Sequence, residues 1–289
     1  MRHYSLLFLA LFAFNGSCQT QEPAPAPPVV QGPKVPTPVI EYTFSKTPIW
    51  RDEFDYTGKP EPSKWNYDLG GNGWGNNEMQ NYTNNLDNAY VKDGVLTIKA
   101  IKEPSGGRIY SSARLVTKGK GDFLYGKFEI RAKLPSGVGT WPAIWMLASQ
   151  NDYGTQFWPD NGELDIMEHV GYDQNVVHAN VHTKAFNHSI GTNKGSKVTV
   201  PNASTEFHVY TCEWQPDFVS FAVDGKDYFR FSRDYTYGWQ QWPFNKKFHL
   251  LLNIAIGGNW GGQEGVDNSI FPQSMEIDYV RVYELVEKK

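Results

Sequence analysis

Between Lys127 and Leu134 the chain alternates strictly, with Phe128, Ile130, Ala132 and Leu134 on one parity and Lys127, Glu129, Arg131 and Lys133 on the other. Successive side chains of a strand point to opposite faces, so this pattern writes a strand with one buried and one solvated face. The same period returns downstream. Trp141, Ala143, Trp145 and Leu147 share a face, with Ile144 and Met146 on the other, and Val177, Ala179 and Val181 alternate with His178, Asn180 and His182. Asp93-Gly94 and Asp224-Gly225 stand between short apolar runs, as two-residue hairpin turns do. Phe248 to Ile256 reads as one continuous apolar strand. No long helical period and no internal repeat is visible, and a length of 289 residues suits one large β-sandwich or two small domains, all-β domains often taking this size singly.

The stretch from Gly162 to His169 needs a separate reason. Glu163, Asp165 and Glu168 crowd a segment otherwise made of strand-forming apolar residues, where a merely solvated face would not need them. In a plain strand Glu163 and Asp165 share a face and Glu168 takes the other. One bulged residue at Ile166 or Met167 repairs the parity, turning three acids to a cleft and Leu164, Ile166 and Met167 to a core. Glu163 and Glu168 then stand about 13 Å apart along the backbone at about 3.3 Å per residue, so their side chains must lean together. Two carboxyls converging to about 5–5.5 Å form the pair of a retaining glycoside hydrolase.

Glu163-Leu164-Asp165-Ile166-Met167-Glu168 resembles the bulged Glu-x-Asp-x-x-Glu signature of glycoside hydrolase family 16, which includes laminarinases, lichenases, agarases and carrageenases. Asn77 to Tyr82, Gly126 to Lys133, Trp141 to Leu147 and Ile277 to Tyr283 follow in that family's order, and the likeness runs from about Pro48 to Leu285. The resemblance implies a two-sheet antiparallel β-jelly-roll of the concanavalin A-like kind, with a concave substrate cleft, over residues 41–287. It implies Glu163 as nucleophile, ionised and oriented by Asp165, and Glu168 as general acid and then base. It also lays the loop 69–78 over the non-reducing side of the cleft, making Trp74 and Asn76 sugar contacts. The bulged form, with Asn76 and Arg114, leans towards laminarin-type β-1,3-glucan; mixed-linkage glucan, agarose, porphyran and carrageenan are the alternatives. A non-catalytic glucan-binding sandwich would not need all three acids. Family members often hold a structural calcium, and Glu53, the Gly94 carbonyl and Asp278 occupy matching places with the oxygen donors that ion prefers. No cofactor is implied for catalysis.

Other candidates come from the residues themselves. Trp141 is expected to line the cleft beside the acids, and Trp145 to form its wall or floor. His182 is expected to touch the acid/base or a sugar hydroxyl. Trp260, among the glycines of 257–262, has little core to enter and is expected to stack on sugar at the reducing side. Aromatics make up 15% of the chain, which suits sugar stacking even with most rings in the core. Zinc is not expected, because the spacing of His169, His178, His182 and His188 matches no closed zinc ligand set. His169, opposite the acids in parity, reads as a buried, hydrogen-bonded residue.

With 27 basic and 31 acidic residues the chain has no basic footprint for nucleic acid. Arg2 and His3, the apolar run from Leu6 to Phe14, and Gly16-Ser17-Cys18 read as an export signal over residues 1–18, too short to span a bilayer. Cys18 is a candidate lipid anchor. Residues 19–40 form a Pro-rich tether, so the protein is expected to be exported, secreted or held at the bacterial outer membrane or cell surface, and monomeric. Cys212 reads as a small buried apolar residue. The domain is expected to begin between Val39 and Trp50, with Arg51 to Asp55 as its first strand.

Overall fold

The computed structural model describes residues 40–288. The export signal, Cys18 and nearly all of the Pro-rich tether lie outside the described residues.

The alternating segments form the expected strands. Gly126–Lys133 is a strand in which buried and half-buried residues alternate without exception. It lies at the centre of an eight-stranded antiparallel sheet in the order Lys226–Ser232, Phe218–Val223, His208–Gln215, Gly126–Lys133, Gln273–Tyr283, Val95–Ala100 and Ala89–Lys92, with Trp50–Asp52 also paired to Gln273–Tyr283. A second eight-stranded sheet runs Lys194–Thr199, Val176–His182, Glu163–His169, Thr140–Ala148, Phe248–Ile256, Arg114–Val116 and Asn66–Tyr67, with Asp122–Phe123 also on Phe248–Ile256. Four strands of this sheet carry the site and are called here the edge strand (Lys194–Thr199), the histidine strand (Val176–His182), the acid strand (Glu163–His169) and the tryptophan strand (Thr140–Ala148).

The two sheets bury one apolar core. Phe128, Ile130, Cys212 and Val280 from the first sheet join Ile144, Met146, Leu164, Met167, Val177 and Leu252 from the second, all fully buried. Each large apolar side chain so covered is worth about 1.5–3 kcal/mol, which keeps the second sheet rigid beneath the groups on its outward face. Both predicted hairpins are present, and their turn residues Asp93, Gly94, Asp224 and Gly225 all have positive φ. That is the mirror-image turn whose twist matches paired strands.

The first strand differs from the one expected. An earlier strand, Tyr42–Phe44, pairs with Leu285–Glu287, and the strand expected over Arg51 to Asp55 covers only Trp50–Asp52.

Candidate active site

The acid strand contains the bulge that its parity required. Towards the tryptophan strand, Asp165 pairs with Trp145 and Met167 with Ile144, so Ile166 has no partner. Towards the histidine strand, Asp165 pairs with Asn180 and Glu168 with His178, leaving Ile166 and Met167 together opposite Ala179. Leu164, Ile166 and Met167 are at most 1% exposed in the core. Glu163, Asp165 and Glu168 all line a single cavity of about 330 Å³ on the outward face.

Each acid has a distinct environment. Glu168 is held at both oxygens: the Trp141 indole Nε1 donates to Oε1 at 3.1 Å, and Asn180 Nδ2 donates to Oε2 at 3.1 Å. Glu163 and Asp165 group with His182, whose Nε2 lies 3.2 Å from Asp165 Oδ2 and 3.8 Å from Glu163 Oε1. Burial pushes all three carboxyls up. For Glu163 and Asp165 the push is strong, and repulsion from Asp165 and Glu168 adds to it. For Glu168 the nearby His182 and the Trp141 and Asn180 donors work against it. Burial and mutual repulsion favour the protonated form of each acid, and in a coupled cluster of this kind one member can act as acid while another ionises.

His182 is the cross-strand partner of Glu163 and is buried beside Glu163 and Asp165, with its ring near Trp158 and His188 at 6.0 and 5.2 Å. Asn180, two residues earlier, makes the contact with the predicted acid/base. Both belong to the alternating polar set of their strand, and parity alone did not separate them.

The aromatic wall is braced rather than loose. The Arg114 guanidinium lies 4.7 Å from the rings of both Trp74 and Trp145, and its Nε lies 3.0 Å from Asp68 Oδ2. Trp145 donates from Nε1 to Asn253 Oδ1 at 2.7 Å, and Trp74 donates to the Gly70 carbonyl at 3.0 Å. Trp74, Asn76, Arg114, Trp141 and Trp145 all line the cavity. Trp260 is not among the residues lining it; it stands edge-on to Trp141 at 5.6 Å and to His178 at 5.0 Å.

Glu78 was not singled out from the sequence. It lines the same cavity, is 6% exposed, and accepts from Gln80 Nε2 at 2.6 Å and from the Tyr82 hydroxyl at 3.3 Å. Its burial raises the carboxyl above the ordinary range. The available signal was a polar alternation, Glu78, Gln80 and Tyr82, all turned inward.

The implied calcium residues all lie on or beside Gln273–Tyr283 and the strands paired to it. Trp50–Asp52 and Val95–Ala100 both pair with Gln273–Tyr283, which brings Glu53 and Gly94 towards Asp278, a residue skipped where the register against Gly126–Lys133 shifts. The Glu53 carboxylate is closed by Arg281 at 2.9 and 2.7 Å, and Asp278 Oδ2 is 2.6 Å from Arg131 Nη1. Among the described residues the main-chain carbonyls of Glu53 and Gly94 accept no hydrogen bond. These carbonyls and Asp278 Oδ1 are left as oxygen donors of the kind a hard cation takes, whereas the Glu53 side chain is taken by Arg281.

A β-sandwich whose outward sheet face presents three clustered acids under a wall of indoles belongs among the carbohydrate-cleaving sandwich enzymes. The sequence model for Glycosyl hydrolases family 16 matches residues 76–281, and the chain belongs to that family. It is 57% identical over 244 residues to a β-glucanase of Rhodothermus marinus, covering 83% of this chain and 85% of that protein. It is 38% identical to a glucan endo-1,3-β-glucosidase A1 of Niallia circulans, over 81% of this chain and 37% of that protein. The solved laminarinase from Rhodothermus marinus superposes with a TM-score of 0.83 at 53% identity, over 86% of this chain and 100% of the other.

Proposed function

We propose that this glycoside hydrolase cleaves internal β-1,3-glucosidic bonds of laminarin-type glucans with retention of configuration. The observation that carries this reading is the bulge at Ile166, which turns Glu163, Asp165 and Glu168 into one cavity walled by Trp74, Trp141 and Trp145. The relatives' names supply the polymer. Glu168 gives its proton to the glycosidic oxygen while Glu163 attacks the anomeric carbon, so the leaving chain departs as an alcohol and a glycosyl ester remains. Glu168, now ionised, takes a proton from water, whose oxygen attacks the same carbon and frees Glu163. Asp165 shares a proton with Glu163 and returns it after each turnover, and the indoles hold the pyranose faces. Arg114, the cavity-lining arginine, is already paired with Asp68, which leaves little charge for a sulfated galactan.

Reducing-sugar release from laminarin, lichenan, agarose and carrageenan, with the product anomer followed by NMR, tests this. Laminarin should be the best substrate and the first product the β-anomer. Preference for a galactan, or an α-anomer, overturns the reading. Glu163→Ser should abolish hydrolysis while retaining fold and oligosaccharide binding. We also propose export as a monomer tethered through Cys18, which palmitate labelling and size-exclusion chromatography would check. Calcium held by Asp278 and the Glu53 and Gly94 carbonyls would stabilise the sheet corner and take no part in the reaction.

A further inference from the structure

Both oxygens of Glu168 are held, and one of those bonds is the end of a chain that begins at the surface. Asn193, exposed just before the edge strand, donates from Nδ2 to Asn180 Oδ1 at 3.1 Å, which leaves Asn180 Nδ2 turned towards Glu168. Gly195 lies directly opposite Asn180 on the edge strand. A Cβ at Gly195 would collide with Asn180 Oδ1 and with the Ala179 carbonyl oxygen, so only glycine lets the Asn180 amide lie in that position.

We propose that Asn180 is a positioning residue for the acid/base, and that the exposed edge of the sheet sets its aim through Asn193 and Gly195. The proposal rests on the reading of Glu168 as acid/base. An N–H that donates to a carboxylate favours its ionised form. Glu168 must carry a proton to release the leaving group and must be ionised to activate water, so its midpoint has to lie between two demands. Burial drives it upward, and Asn180 is one of the groups that oppose the rise. Losing that donor leaves burial less opposed. The other charged or titratable groups facing Glu168 are Glu163 and Asp165 on its own strand, His178 and His182 on the histidine strand, and Lys197 beside His178. Glu78 and Arg114 face it from across the cavity, and Tyr228 from the opposing sheet. Changes at Asn193 or Gly195 remove none of these.

The test is the pH profile of kcat/KM on laminarin for Asn180→Ala, Asn193→Leu and Gly195→Ala, with Thr199→Ala as a control from the same strand and a thermal melt of each. Asn180→Ala should raise the alkaline midpoint by about one pH unit with the acid limb unmoved. Asn193→Leu and Gly195→Ala should shift it in the same direction by less, and Thr199→Ala should leave it in place. If Gly195→Ala does not fold, Asn193→Leu carries the test alone. Folded Asn180→Ala and Asn193→Leu with the parent's alkaline limb would overturn the relay. Glu168→Gln separates the two levels: inactivity with unmoved limbs sinks only the relay, whereas turnover by Glu168→Gln sinks the acid/base assignment beneath it.

Discussion

Deleting Ile166 probes the link between backbone register and chemistry more directly than any substitution. Ile166 is the extra residue on both ladders, so its removal leaves Asp165 opposite Trp145 and Asn180, Met167 opposite Ile144 and Ala179, and Glu168 opposite Ala143 and His178. The three acids would still share the outward face, now in a regular strand. The cost is the lost Ile166 side chain, 1% exposed in the parent. Emptying such a site costs about 2–5 kcal/mol, offset by about 1 kcal/mol for a restored ladder hydrogen bond. The net loss of about 1–4 kcal/mol corresponds to about 2–16 °C in Tm for a domain of this size. Activity should fall, since a bulge bends its strand and re-aims its side chains, but about 1–10% of kcat on laminarin should remain. Differential scanning calorimetry and reducing-sugar assays measure both quantities. A variant that melts as calculated yet is as inactive as Glu163→Ser would refute the parity argument. So would deletion of Met167 proving the milder change.

Arg114→Ala removes a guanidinium that lies 4.7 Å from two indoles. With each contact worth about 0.5–2 kcal/mol, KM should rise about 10-fold while kcat changes little. Arg114→Lys should not restore it, because an ammonium lacks the planar fork; full rescue by Lys would show that charge alone matters. Burial lowers His169 and His249 from 6.5 to about 4. A histidine depressed in the fold stabilises above its unfolded value and loses that contribution as pH falls, here from about 6.5 to about 4, by up to about 3 kcal/mol for each group. His169→Gln should flatten the fall of Tm over that window, and an unchanged slope would refute the assignment. Millimolar calcium should raise Tm by about 5 °C over a chelated sample without changing kcat, and Asp278→Ala should remove the rise. Coincident melts with and without the ion would dismiss that site.

Much of the cleft was legible because strand parity is a strict rule. The bulge near Met167, the inward Trp141 and Trp145, the buried His169 and both Asp-Gly hairpins follow from a period of two and from the conformations turns require. The short strand Tyr42–Phe44 was not legible: it has no alternating run, and its partner Leu285–Glu287 lies at the other end of the chain. Parity also could not rank equals. His182 and Asn180 share a face; the cross-strand register sets His182 opposite Glu163 and Asn180 opposite Asp165, and only the side-chain packing lets the Asn180 amide reach Glu168.

The amino-acid order by itself determined which residues face the cleft and which the core, because side-chain direction along a strand is a local property. It set Glu163 and Asp165 on one face, and the bulge at Ile166 brings Glu168 to the same face. Tertiary structure alone decided the partners: Asn180 and Trp141 on Glu168, Arg114 between two indoles, and Trp260 edge-on to Trp141. Those choices depend on which strands lie side by side and at what register. Contacts between distant segments are set by packing the whole core at once, and no local period encodes them.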